Sequence, residues 1–162
     1  MRIGKSRGSF LPVLMKVVSM TDGPILEMGV GFCSTPYLHW VCYPSKRRLV
    51  SYENNPEYYQ FAMSWKDDFH SINCITDLDS ANLSEPWSVA FIDHSPAHRR
   101  GIEIQRVLHA DYVVIHDSEN MNMVAYGLDR VFKMFKYRYK YTAALPTTSI
   151  WSNKHDVRGF EV

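Results

Sequence analysis

The sequence predicts an α/β protein: one Rossmann-like, doubly wound sheet of seven strands, mostly parallel, with a C-terminal antiparallel hairpin. Three observations carry this. A strand, a capping residue and a proline recur in that order three times, at Thr35-Pro36, Asn55-Pro56 and Ser95-Pro96, and proline at a first helical position loses no hydrogen bond. Apolar runs alternate with helical patterns along the first 135 residues, the rhythm of a parallel sheet covered on both faces. After residue 136 two strands follow each other with no helix between them, as in an antiparallel hairpin.

Element by element, Ser9 is positioned to cap a first helix. Phe10, Val13, Leu14, Val17 and Val18 follow its apolar stripe, and Pro12 fits only in a first turn. Asp22-Gly23-Pro24 is turn chemistry, and Ile25-Leu26 then starts a buried strand ending in the glycine loop Glu27-Met28-Gly29-Val30-Gly31. Thr35 caps the second helix. Residues 49–52 form the second strand, and Asn55 caps the helix after it. Apolar runs at 72–75, 89–92 and 112–115 supply three more strands, with helical patterns at 97–108 and 121–135. Tyr137, Tyr139 and Tyr141 alternate with Arg138 and Lys140, and residues 147–152 form the last strand.

The chain has 162 residues, 46% hydrophobic and 22% charged, the size and composition of one domain. Residues 1–8 are set apart as a basic N-terminal segment. A net charge of +1 does not favour nucleic acid or an anionic membrane as the main partner. The apolar stretch 10–18 is broken by Lys16, and nothing approaches a membrane span. Cys33, Cys42 and Cys74 are an odd number without C-x-x-C spacing, which favours small buried hydrophobes in a reducing, cytoplasmic setting.

Ligands of open α/β sheets bind beyond the carboxyl ends of the strands. Every such position here is polar. Glu27, Gly29, Gly31, Ser34 and Thr35 follow the first strand, and Glu53, Asn54 and Asn55 the second. Asp77 and Asp79 follow the third, Asp93, His94 and Ser95 the fourth, and His116, Asp117, Ser118, Glu119 and Asn120 the fifth. Gly29 and Gly31 allow a tight turn and close approach of backbone to ligand. Glu53, at the end of the next strand, is placed to take both hydroxyls of a ribose. Together they point to a nucleoside-containing ligand. Ser34 stands where the dinucleotide fingerprint has its third glycine or alanine, which weighs against a nicotinamide cofactor.

Glu27-Met28-Gly29-Val30-Gly31, Tyr52-Glu53-Asn54-Asn55, Phe91-Ile92-Asp93-His94 and the terminal hairpin together resemble the class I S-adenosylmethionine-dependent methyltransferases, over residues 10–154. The resemblance implies S-adenosylmethionine as cofactor and a cytoplasmic enzyme that methylates a small-molecule acceptor, at oxygen rather than nitrogen. Carried over, the methionine portion falls to Glu27, Gly29 and Gly31, with Phe32, Ser34 and Thr35 in the same loop. The ribose falls to Glu53 with Asn54, and the adenine to Asp77 or Asp79 and to Asp93 and His94. Asp93, His94, His116 and Asp117 are the candidates for orienting and deprotonating the acceptor. Other chemistries on the same ligand, lyase breakdown or aminopropyl transfer, and a binding module without turnover are the alternatives.

Phe91-Ile92-Asp93-His94 and Asp117 also look like the metal-dependent catechol-type O-methyltransferases. That resemblance implies magnesium held by an Asp after the fourth strand and an Asp-Asn pair after the fifth; here the hard oxygen ligands on offer for magnesium or calcium are Asp93, Asp117 and Glu119. The catalytic lysine of those enzymes has no counterpart, because Ser95-Pro96 occupies its place, and the spacing after Asp117 differs; both departures favour metal-free transfer. Arg99-Arg100 and the ladder at 136–140 read as a solvated helix face and a charge-protected edge strand. The four tryptophans read as packing residues, with Trp151 able to lie over the cleft.

Overall fold

The computed structural model describes residues 8–162; the basic segment at residues 1–7 lies outside the described residues. Its seven strands are β1 (Ile25–Met28), β2 (Leu49–Glu53), β3 (His70–Cys74), β4 (Val89–Ile92), β5 (Tyr112–His116), β6 (Tyr137–Tyr141) and β7 (Thr148–Ser152). They form one sheet in the order β3-β2-β1-β4-β5-β7-β6. β7 runs antiparallel to both β5 and β6, and every other neighbouring pair is parallel. The topology therefore reverses at β1 and β4, which opens a crevice at their carboxyl ends.

Because successive side chains of a strand face opposite ways, each central strand serves two layers. Leu26, Met28, Ala90, Ile92, Val113 and Ile115 point to one, where Ile104 of α4 (Arg100–Arg106) and Leu128 and Val131 of α6 (Leu128–Phe132) cover them. Ile25, Leu49, Val89, Phe91 and Val114 point to the other, against α1 (Leu11–Ser19) and α2 (Ser34–Cys42). Each such Leu, Ile or Val, wholly buried, contributes about 1.5–3 kcal/mol. No described helix is long and apolar enough to cross a membrane.

Several boundaries differ from the sequence expectation, each for a local reason. Ser9 does not cap α1: the cap position is Phe10, without a side-chain bond, while the Ser9 hydroxyl is engaged far away in sequence. Thr35 lies inside α2, its hydroxyl drawn down to Glu27. Asn55 does cap α3 (Pro56–Ala62), accepting from Glu57 N and Tyr58 N. Beyond Ser95-Pro96 the chain first makes a 3-10 turn, Ala97–Arg99, and becomes α-helical only at Arg100.

The crossover from β3 to β4 carries no α-helix. A 3-10 turn, Leu78–Ser80, and the buried Leu78, Ala81, Leu83 and Trp87 take the place of one against the sheet. The expected helix at 121–135 is two short ones, α5 (Asn122–Ala125) and α6, separated by left-handed Gly127. Gly127 backs directly onto Gly101 of α4, where a Cβ would come within 2.3 Å of the Gly127 carbonyl oxygen. Of the cysteines only Cys42 is buried; Cys33 is half-buried and Cys74, at the end of edge strand β3, is exposed.

Candidate active site

A cleft of about 360 Å³ opens at the carboxyl ends of β1, β2, β4 and β5. Gly29, Val30, Gly31, Phe32, Ser34, Glu53, Asp93, His94, His116 and Asp117 line it, as do Phe10 and Tyr58. Gly29 has φ +92°, and a Cβ there would sit 2.6 Å from the His94 backbone, so only glycine lets β1 leave the sheet so close to β4. At Gly31 a Cβ would meet only the flexible Ser34 hydroxyl, at 2.9 Å. The loop is thus tight on its protein side at Gly29 and less constrained at Gly31.

Glu53 is the last residue of β2 and is buried, rather than standing clear of the strand. Its Oε2 accepts from Val30 N at 2.8 Å, and its Oε1 accepts from Asn54 N and Asn55 N at 2.8 and 2.7 Å. One carboxylate therefore ties the glycine loop to the start of α3. Asn54 Nδ2 donates to Ser95 O at 2.7 Å and joins that unit to the loop after β4. Phe32 packs on Tyr58, with ring centroids 5.2 Å apart.

Glu27 lies within β1, fully buried beneath the loop. Ser51 Oγ donates to it at 2.6 Å and Thr35 Oγ1 at 2.9 Å, and Thr35 Oγ1 in turn accepts from Gly31 N at 3.1 Å. Burial pushes the Glu27 carboxyl up to about 7, although those hydroxyls favour its charge. His70 Nε2 lies 3.0 Å from Ser51 Oγ, and burial beside His39 pushes the His70 ring down to about 4. Glu27, Ser34 and Thr35 thus support the loop from below. Asp77 caps the 3-10 turn after β3 by accepting from Asp79 N, and Asp79 pairs with Arg99; neither lines the cleft.

The other wall is a network of charges. Asp93 Oδ1 accepts from Arg100 Nη2 at 2.9 Å, and Asp93 Oδ2 lies 3.1 Å from His116 Nδ1. Arg100 Nη1 reaches His116 O at 3.0 Å and Asp117 Oδ2 at 3.4 Å, while its Nε donates to His94 O at 2.9 Å. Burial disfavours charge on His116, but the Asp93 hydrogen bond and the Asp93 and Asp117 charges outweigh it and raise its pKa. Burial raises the Asp117 pKa. Asp93 and Asp117 each keep about a quarter of their side-chain surface exposed, 25% and 26%.

His94 is different in kind. Its ring is buried, Nε2 lies 3.1 Å from Glu103 Oε2, and burial together with the nearby Arg100 lowers its pKa to about 4. At neutral pH it is an uncharged ring packed between β4 and α4.

Asp93, His116 and Asp117 lie close enough together to hold a metal ion. The residues present do not fit the magnesium site that the catechol-type resemblance implies. Arg100 already delivers a buried positive charge to both carboxylates, and Glu119 accepts from Thr147 N at 2.6 Å and from Asn122 Nδ2 at 3.1 Å instead.

Sequence reasoning missed four residues here. Ser9 Oγ lies 3.0 Å from His116 Nε2 and donates to Pro146 O at 2.8 Å, and Phe10 packs edge-on to the His116 ring. Arg100 and Glu103 are buried rather than solvated. A signal for that pair was present: Arg100, Glu103 and Ile104 share a helix face by i+3 and i+4 spacing, so two charges sit on the apolar side.

No protein-family model matches the sequence, and no curated protein matches it. Solved structures do. A SAM-dependent O-methyltransferase from Thermotoga maritima is similar at TM-score 0.71 and 13% identity, over 96% of this chain and 68% of that one. An O-methyltransferase from Bacillus cereus in complex with SAH is similar at 0.62 and 15%, over 93% and 82%. The N-methyltransferase NodS from Bradyrhizobium japonicum is similar at 0.63 and 11%, over 92% and 96%. Likeness at such identities establishes the fold.

Proposed function

Because the chain has the class I methyltransferase fold, we propose that it binds S-adenosylmethionine in the cleft and transfers the methyl group to a hydroxyl of a small-molecule acceptor. One observation carries the reading: the Glu53 carboxylate and the glycine loop wall the same cleft and are hydrogen-bonded to each other through Val30 N. The residues fit the cofactor. A carboxylate has acceptor capacity beyond the three amides Glu53 already binds, so its Oε2 is suited to a ribose hydroxyl. The turn at Gly29 and Gly31 suits close approach of backbone to the methionine portion, and Phe32 and Tyr58 offer flat apolar surface to a base. Glu27, Ser34 and Thr35 hold the loop in that shape.

When bound, S-adenosylmethionine supplies a sulfonium methyl that is already electrophilic, so aligning the acceptor supplies much of the rate. Asp93 and Asp117, partly exposed to the cleft, are suited to accept the acceptor's hydroxyl proton. Arg100 and His116 hold both carboxylates in place, while neutral His94 supports the loop after β4. A carboxylate pair facing the cleft favours a hydroxyl acceptor over an anionic one.

The test is calorimetric titration with S-adenosylmethionine, S-adenosylhomocysteine and NAD in parallel. Binding of the first two and not the third is expected; preference for NAD, or binding of none, overturns the reading. Release of S-adenosylhomocysteine in the presence of hydroxylated acceptors then separates methyl transfer from lyase or aminopropyl chemistry, which leave methylthioadenosine.

A further inference from the structure

A second cavity, of about 380 Å³, lies on the opposite layer, where β6 and β7 meet the helices α5 and α6. It shares no lining residue with the cleft. Its size is ordinary for a small-molecule site. Trp151 is almost wholly buried, and Phe132 stands edge-on to it with centroids 5.6 Å apart at 78°. With Met123 these rings give the cavity flat apolar walls.

The charged groups of the cavity are both cations. Arg138 stacks on Phe132, 4.2 Å from guanidinium carbon to ring centroid, and donates Nη1 to Phe132 O. Lys140 Nζ donates to Asn120 Oδ1 at 3.0 Å. Among the described residues neither cation pairs with a carboxylate, and no Asp or Glu lines the cavity. Glu119, the nearest acid in the adjoining loop, is committed to Thr147 N and Asn122 Nδ2. The Ser149 hydroxyl donates to Ser118.

We propose that this cavity binds a planar aromatic anion, its ring against Trp151 and Phe132 and its carboxylate or sulfonate between Arg138 and Lys140. Arg138 and Lys140 are half-buried, and two cations without acids beside aromatic walls are complementary to a ligand that brings both the ring and the charge. The inference does not depend on the cofactor reading of the cleft.

Naphthalene-2-sulfonate and its neutral counterpart naphthalene-2-methanol are the probes. The wild-type chain is expected to bind the sulfonate about 10-fold or more tighter than the alcohol, as for hydrogen bonds to a charged group. Arg138→Met with Lys140→Met is expected to abolish that preference. The indole N–H resonance of Trp151, assigned by its loss in Trp151→Phe, is expected to shift on saturation. Equal affinity for the two probes, no saturable binding, a preference kept by the double variant, or an unmoved Trp151 resonance each overturns the proposal. If the double variant does not fold, Met123→Trp, which fills the cavity from α5, decides the matter: both probes should bind more weakly, and unchanged affinity overturns the proposal.

Discussion

Ser9 and His116 fix each other's protons. The Ser9 hydroxyl has one hydrogen and gives it to Pro146 O, so His116 Nε2, 3.0 Å from Ser9 Oγ, must be the donor there. Nδ1 faces the Asp93 carboxylate at 3.1 Å and must be a donor as well. Hydrogen on both ring nitrogens satisfies both contacts, so the surroundings favour the imidazolium form, in line with the raised pKa of His116. The charges of Arg100 and His116 then balance those of Asp93 and Asp117 in one partly buried group.

A pH dependence follows from that state. The folded pKa of His116 is raised, so its contribution to stability is fully present below the unfolded value and is lost as pH rises through the folded one. The difference in unfolding free energy between wild type and His116→Gln should therefore shrink as pH climbs above neutrality. Ser9→Ala should lower the His116 pKa and cost about 1–3 kcal/mol, the penalty for a buried donor left without its partner. Histidine proton resonances followed against pH check the first effect, and urea unfolding the second. A His116 that titrates at its ordinary value in the wild type would refute the imidazolium assignment.

Arg100 should prove the least replaceable residue of the site for stability. Arg100→Met leaves Asp93 and Asp117 partly buried without the guanidinium and two backbone carbonyls, of His94 and His116, without donors. Breaking a buried pair in this way typically costs about 3–5 kcal/mol. Arg100→Lys should recover little of it, since an ammonium cannot reach four acceptors in the planar pattern of a guanidinium. Thermal or denaturant unfolding measures both, and a loss as small as that of an exposed arginine would contradict the burial.

The strands and the glycine loop were legible in the sequence because apolar runs and turn residues are local signals. Arg100 was not, since Arg99-Arg100 reads as a charged surface pair until α4 is docked. Only then does Arg99 bridge Asp79 and Glu103 while Arg100 turns inward to Asp93. His94 misled in the opposite direction. Its place after β4 suggested a rim base, but Glu103, one helix later, draws the ring into the interior. Ser9 looked like a helix cap, and its partners lie in the fifth strand and the last hairpin, separations that no local pattern reports.

Glu27 provides a test of the support beneath the loop. Its folded pKa of about 7 lies above the 4.5 of an ordinary glutamate, so the folded state holds its proton more tightly and loses stability as pH rises from 4.5 to 7. Glu27→Gln removes that titration. Relative to wild type the variant should gain on the order of 3 kcal/mol across that interval, and a difference independent of pH would show that Glu27 stays ionised throughout. The opposite slope from His70 and His94, whose folded values of about 4 make stability fall as pH drops below their unfolded range, cancels in the comparison.

Glu53→Gln replaces a carboxylate oxygen by an amide group. The Oε1 side can still accept from Asn54 N and Asn55 N, but the amide nitrogen then opposes Val30 N–H and can no longer receive it. S-adenosylmethionine affinity should fall about 10- to 150-fold, corresponding to roughly 1.5–3 kcal/mol for a hydrogen bond to a charged group. The melting temperature should fall too, because Glu53 is buried and braces the loop. Calorimetry on the folded variant checks the first effect, and affinity equal to wild type would remove the ribose role from Glu53.

Asp93 and His94, adjacent in sequence, should separate cleanly in kinetics. Asp93 keeps 25% of its side chain exposed and lines the cleft, where the proposed reading has its carboxylate take the acceptor's proton. Asp93→Asn should lower the single-turnover rate about 10²- to 10⁴-fold, the range for a lost general base, with a smaller change in S-adenosylmethionine affinity. His94→Gln should behave oppositely. The amide can still meet Glu103, and the buried ring, its pKa lowered to about 4, is too weak a base to be missed, so the defect should appear in melting temperature. Rate, affinity and melting temperature measured on both variants decide between them. A collapse of turnover in His94→Gln with unchanged stability would return the base to His94 and leave Asp93 as the residue that holds His116 in place.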